Sequence, residues 1–277
     1  MSPASKNLYL VSFGDASCKG AKKRLLRQSR KSGYFEKVWV WGEGDLDADF
    51  VARNENRLLA GSRGFGYWLW KPQVVLQALQ MIPDGALLLY LDVGCHIVPH
   101  CEQGIEKYLR GVGESESDVL CSVMAHLEKD WAKGDLFDFF GARTNRGVTH
   151  TGQRQGGVVL YRKSRRSLSF VREWLSICED HPDLLDDSPS RSPNLEGFRE
   201  HRHDQAIFSV LSKIYRASTF DENELMQWDV ERTKLPGCFP IEARRDRYPK
   251  EPVVKRLMSR LGAPKRFLVK MISGVSR

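Results

Sequence analysis

The 277-residue chain has no apolar run approaching the roughly 20 residues that a membrane-crossing helix needs. It has no CxxC pair. Its six cysteines, Cys18, Cys95, Cys101, Cys121, Cys178 and Cys238, are scattered, which argues against a structural zinc site. The opening stretch, MSPASKNLYLVSFG, lacks the basic region, apolar core and cleavage pattern of a secretory signal. Scattered cysteines without an export signal imply reduced thiols and a cytoplasmic protein. No internal repeat is present. Net charge is also missing from most of the chain. Residues 241–277 hold 11 Lys/Arg against 3 Asp/Glu, which accounts for the whole formal charge of +8 and leaves 32 basic and 32 acidic residues in 1–240. A neutral body argues against a broad nucleic-acid-binding face, so no nucleic-acid partner is expected.

What is present is a 41% hydrophobic chain, enough for one sizeable core. Leu8–Phe13 and Lys37–Trp41 read as strands. Ser17–Ser32 reads as a basic surface helix ended by Gly33. Pro72 suits the first turn of a helix running to Ile82, and Val74, Val75, Ala78, Leu79 and Ile82 share one face of it. Strands follow at 87–92, 118–125 and 156–161, and helices at 168–178 and 203–214. Residues 181–199, rich in Pro, Ser and Asp, read as loop. Alternating strands and helices predict an α/β domain over 1–240 with a mostly parallel sheet flanked by helices. The remaining 241–277 read as a basic tail. There Val254, Leu257, Met258 and Leu261, then Phe267, Leu268, Met271 and Ile272, form a broken amphipathic helix with basic residues between.

The segment from Arg63 to Ile97 carries the densest chemistry. An aromatic cluster, Tyr67-Trp68-Leu69-Trp70, meets Lys71-Pro72, and the apolar strand Leu87–Leu91 then ends on Asp92. Ligands of open α/β sheets bind in the crevice at the carboxyl ends of strands, so Asp92 marks a site. A carboxylate capping the turn after a buried strand would look the same. In an extended segment Asp92, Gly94 and His96 share one face, which makes Asp92 and His96 candidate metal ligands. Arg63 and Lys71 can meet phosphate, and Tyr67 and Trp70 can stack on a base or sugar, although tryptophans here also suit a core. Gln155-Gly156-Gly157 offers a backbone that a ligand can approach closely. At the start of the 203–214 helix, Asp204 is a candidate general base and His203 a candidate base or phosphate partner. Helix capping alone also places an acid there.

These parts, in this order over 8–215, resemble the GT-A-fold nucleotide-diphospho-sugar glycosyltransferases. In that family a DxD motif follows a buried strand and holds a divalent cation on the donor diphosphate. Asp92 matches the first acid, and Gly94 stands where the second would be. The resemblance implies a GT-A-like, Rossmann-like fold and transfer of a hexose from a nucleotide sugar to a hydroxyl of a glycan or lipid-linked acceptor. Arg63, Tyr67, Trp70, Lys71, Asp92 and Gly94 would line the donor. Manganese or magnesium is the implied cofactor, with the missing second acid against it. Under inversion Asp204 is the base; under retention it orients the sugar. The basic tail would rest on an anionic inner membrane face, where each Lys or Arg contributes about 1 kcal/mol.

Two other readings compete. Leu91-Asp92-Val93-Gly94-Cys95 imitates the acid-and-glycine loop of S-adenosylmethionine-dependent methyltransferases, but His96 stands where a further glycine is needed. A non-enzymatic module acting through the basic tail would leave the interior acid without a role.

Overall fold

The computed structural model describes residues 7–225 and 239–244. The amphipathic pattern over 254–272 therefore lies outside the described residues. All the described residues belong to one compact unit, within Met1–Arg247.

β1 (Leu8–Phe13) leads into α1 (Lys19–Ser32), which Gly33 closes in the left-handed conformation at φ 71°. β2 (Lys37–Trp41) and α2 (Ala48–Arg53) follow, then a single irregular turn, α3 (Gly64–Tyr67), and α4 (Trp70–Met81). Next come β3 (Leu87–Leu91), β4 (His96–Ile97), α5 (Glu102–Gly113) and β5 (Val119–Leu127). Three short helices, α6 (Glu128–Trp131), α7 (Gly134–Phe139) and α8 (Arg146–Thr149), precede β6 (Gly152–Arg162). α9 (Arg165–Asp180), capped by Ser164, α10 (His203–Ile214), β7 (Ser218–Asp221) and β8 (Ile241–Glu242) complete the described elements.

Six strands form one mixed sheet in the order β2-β1-β3-β6-β5-β7. β1 runs parallel to β2 and β3, with Leu10 opposite both Val38 and Leu89. β7 runs parallel to β5. β6 is the exception to the mostly parallel pattern: it is antiparallel to both β3 and β5, with Leu160 opposite Leu89 and Leu120. That reversal matters for the site. It brings the first half of β6 alongside the carboxyl end of β3.

β3 reads as an unbroken apolar run because both of its faces are covered. Leu88 and Tyr90 join one core with Val11, Val74, Phe170 and Phe208; Leu89 and Leu91 join the other with Leu10, Leu25 and Tyr108. Helices α4, α9 and α10 thus cover one face of the sheet, and α1 and α5 cover the other. Among the described residues, no helix is long and apolar enough to cross a membrane.

Two expectations need correction. β6 starts at Gly152, before the glycine pair read as a loop, because Gln155 and Arg154 pair with Ser122 and Val123 of β5. Cys101 is disulfide-bonded, whereas Cys18, Cys95, Cys121 and Cys178 are buried. Spacing alone does not show such a bond, and with it the cysteine argument for a reducing compartment falls.

Candidate functional site

Lys71, Asp92 and Asp204 meet at the carboxyl end of β3. Lys71 stands in the first turn of α4, Asp92 follows β3 directly, and Asp204 lies in the first turn of α10. The Lys71 ammonium lies 2.9 Å from Asp204 Oδ2 and 3.5 Å from Asp92 Oδ1. Tyr90, on the same face as Asp92 two residues earlier, donates its hydroxyl to Asp92 Oδ1 at 2.9 Å. Lys71 and Asp204 are buried, while the Asp92 side chain keeps 21% of its surface open. Burial raises the Asp204 pKa above the ordinary carboxylate range; Lys71 pulls it down and Asp92 pushes it up.

The backbone before α4 is unusual. Residues 64–68 all have positive φ, at 59°, 51°, 85°, 54° and 62°. Glycine adopts this readily, but Phe65, Tyr67 and Trp68 each incur about 1–2 kcal/mol there. The turn lays Trp68 and Tyr67 on the His203 ring, with centroids 5.5 and 5.1 Å away. Such stored strain collects at functional sites.

Two cavities meet at the ion cluster. One, of about 290 Å³, is lined by Asp92, Gly94, Gln155 and Gly157; the other, of about 150 Å³, by Trp68, Lys71, Asp92, Arg202 and Asp204. Asp92 and Gln205 line both. Gln205 is held from behind. Buried Glu128 pairs with Lys213 at 2.7 Å and accepts from Gln153 Nε2 at 2.9 Å. Gln153 Oε1 then accepts from Gln205 Nε2 at 2.9 Å. A carboxylate only accepts, so this chain sets the orientation of both amides.

Gly157 and Gly156 do different things. Asp92 N–H donates to Gly157 O at 2.8 Å, and a Cβ on Gly157 would sit 2.8 Å from Asp92 Oδ2. A Cβ on Gly156 would meet only ordinary contacts, the nearest being Phe208 at 3.7 Å. Gly157→Ala is therefore expected to displace the Asp92 carboxylate and destabilise the fold by about 1–3 kcal/mol, while Gly156→Ala is close to neutral. Denaturant melts of both variants check this. Equal stabilities would contradict it.

Several expected residues lie elsewhere. Trp70 is core: its ring packs 4.1 Å from Phe13, and its Nε1 donates to Gly64 O. Arg63 does not line either cavity; its Nη1 donates to both oxygens of Asp187, at 2.9 and 3.0 Å. Tyr67 turns to the same acid, and burial together with Asp187 raises its pKa. His203 Nδ1 donates to Leu185 O, and its Nε2 faces Asp187 at 3.7 Å. Asp187 is thus the shared partner of three expected site residues. Burial works to raise its pKa, but hydrogen bonds from Arg63 and Tyr67 prevail and lower it.

Among the described residues, the donor set around Asp92 does not fit a divalent cation. His96 is buried in β4, with Nδ1 3.1 Å from Gln28 Nε2, and does not line the cavity beside Asp92. Gly94 supplies no ligand. Among the described residues, no group of three or more His, Cys, Asp or Glu side chains could hold a metal ion.

Behind the site, His201 holds the 181–199 loop to α7. Its Nε2 donates to Leu184 O at 2.8 Å and its Nδ1 accepts from Lys133 N–H at 3.2 Å. Both bonds require the neutral ring, and burial lowers its pKa to about 3. The unfolded chain takes up this proton near pH 6.5, so the neutral ring's stability is complete above that pH and is lost as pH falls toward 3. At 1.4 kcal/mol per unit the full effect is on the order of 5 kcal/mol. His201→Gln is expected to flatten the melting-temperature profile between pH 6.5 and 4, as thermal melts at each pH would show. Parallel profiles would contradict this.

No protein-family model matches the chain, and no curated protein matches it. Similar solved structures include mouse xyloside xylosyltransferase 1, at 11% identity and TM-score 0.46, covering 88% of this chain and 99% of that one. The galactosyltransferase LgtC, solved with donor and acceptor sugar analogs, matches at 12% identity and TM-score 0.46, covering 95% and 99%. The glycosyltransferase GlyE of Streptococcus pneumoniae TIGR4 matches at 12% identity and TM-score 0.46, covering 85% and 54%. These neighbours are glycosyltransferases. At such low identity the chemistry of this chain rests on its own residues.

Proposed function

We propose that the protein is a nucleotide-sugar-dependent glycosyltransferase that moves a hexose to a hydroxyl of a glycan or lipid-linked acceptor. The observation that carries this reading is the Lys71 ammonium between Asp92 and Asp204, opening onto two cavities that share Asp92 and Gln205. The arrangement offers a cation for a diphosphate, a half-open carboxylate for hydroxyls, and a buried carboxylate of raised basicity.

Asp92, a carboxylate, would not contact a diphosphate directly. Its Oδ2 borders Gly157 and the larger cavity, where it would accept hydrogen bonds from donor sugar or ribose hydroxyls. Lys71 would meet the diphosphate. Asp204 would take the proton of the acceptor hydroxyl as its oxygen bonds to the anomeric carbon and the sugar–phosphate bond breaks. A base of raised pKa suits that transfer at neutral pH. Among the described residues the donor set does not fit a divalent cation, so no step is assigned to one. The basic segment 241–277 would bring the enzyme to an anionic surface bearing lipid-linked acceptors.

The test is nucleoside diphosphate release from a panel of UDP-, GDP- and dTDP-sugars. Release from at least one donor is expected, and Asp92→Asn should lower kcat/KM about 100-fold or more. No release from any donor, with or without acceptor glycans, would overturn the reading.

A further inference from the structure

Resting on that reading, we infer that the Lys71 ammonium takes the place of a divalent cation, so the donor diphosphate binds this protein without metal. The carboxylate that would have to anchor a metal is already committed on one side. Asp92 Oδ1 accepts from Tyr90 and faces Lys71 at 3.5 Å. Among the described residues, the cavity that Asp92 lines brings no second carboxylate; its other hydrogen-bonding side chains are the neutral amides of Gln155 and Gln205. Amide carbonyls can complete the shell of a hard divalent cation, but its charge is offset by carboxylates, and here a single one is on offer. A cation bound to Asp92 would also stand next to the ammonium, in a setting where charges repel strongly.

Lys71 itself is placed as a metal would be, between two carboxylates from different elements. Pro72 follows it in the first turn of α4, and the left-handed turn at 64–68 fixes where that helix starts. The two contacts are unequal: Asp204 holds the ammonium at 2.9 Å and Asp92 at 3.5 Å. Asp204 anchors the cation, and the longer contact to Asp92 is the one that an arriving diphosphate oxygen exchanges for its own. The smaller cavity, which Lys71 and Arg202 both line, supplies a second cation for the same anion. Arg202 stacks on the Trp131 ring at 3.9 Å. Lys71 and Arg202 thus place two cations at the smaller cavity, and Asp92 places a carboxylate at both cavities.

The test uses the full chain, titrating UDP and GDP calorimetrically in EDTA and again in excess MnCl2. The inference expects a nucleotide that binds with dissociation constants within about threefold of one another in the two buffers. Affinity that rises about tenfold or more with manganese overturns it while leaving the proposed transferase intact. A nucleotide-independent check follows the electron paramagnetic resonance signal of free Mn²⁺ as protein is added. An undiminished signal is expected, and stoichiometric loss of it overturns the inference. Lys71→Met should weaken nucleotide binding at least about tenfold in either buffer; unchanged binding overturns the inference. If that variant fails to fold, the wild-type comparison decides. Absence of binding to either nucleotide in both buffers overturns the inference together with the function it rests on.

Discussion

Lys71→Met is expected to cost the fold about 3–5 kcal/mol, because it leaves Asp204 buried without its cation. Methionine fills the space of the lysine stem, so the loss reports charge rather than a cavity. The deficit has a pH signature. The Asp204 pKa is already raised by burial, and without Lys71 it rises further. A raised folded-state pKa means stability is lost as pH climbs through it, so the deficit is larger at pH 8 than at pH 5. Denaturant melts at the two pH values measure it. Adding Asp204→Asn to Lys71→Met should restore part of the stability, a non-additivity expected of groups in contact. Equal deficits at both pH values, with no recovery in the double variant, would show that Lys71 and Asp204 are not coupled.

Asp204→Asn alone gives the largest expected effect on turnover. Asparagine keeps the shape and loses the proton-accepting oxygen pair. Loss of a general base lowers rate by about 10²–10⁴-fold. Donor affinity should move far less, because asparagine keeps an oxygen that can accept from the Lys71 ammonium and hold it in place. Steady-state kinetics with saturating donor and varied acceptor separate the two quantities. A variant with full turnover would remove Asp204 from the chemistry and leave it as the anchor of Lys71. The anomeric configuration of the product, read by NMR, adds an independent check: inversion requires a base, and retention would assign Asp204 to orienting the sugar.

Much of this site was legible before any coordinates, for physical reasons that differ by residue. Asp92 stands out because an unbroken apolar run reads as a strand covered on both faces, and ligands of open α/β sheets bind at the carboxyl ends of such strands. Asp204 and Lys71 stand out because each sits in the first turn of a helix whose start is signalled locally. What sequence does not display is which of these ends converge. The reversal of β6 places Gly157 against Asp92, and no local pattern announces an antiparallel strand among parallel neighbours. Tyr90 had a usable signal: it lies two residues before Asp92, hence on the same face. Asp187 had none. It lies in a Ser- and Pro-rich segment, yet it binds Arg63, draws Tyr67 and faces His203. Those three residues look like ligand contacts in the sequence because the acid that occupies them is more than a hundred positions away from two of them. Trp70 shows the opposite error. An aromatic next to a functional lysine suits stacking on a base, but the same helix turn that delivers Lys71 drives Trp70 onto Phe13.

The most direct test of the account is a calorimetric titration of wild-type protein and Asp92→Asn with a panel of UDP- and GDP-sugars, with S-adenosylhomocysteine in parallel. The account predicts that wild type binds at least one sugar nucleotide, that Asp92→Asn weakens this about tenfold or more, and that S-adenosylhomocysteine gives no heat of binding. Binding of S-adenosylhomocysteine alone, or sugar-nucleotide binding indifferent to Asp92, would contradict it.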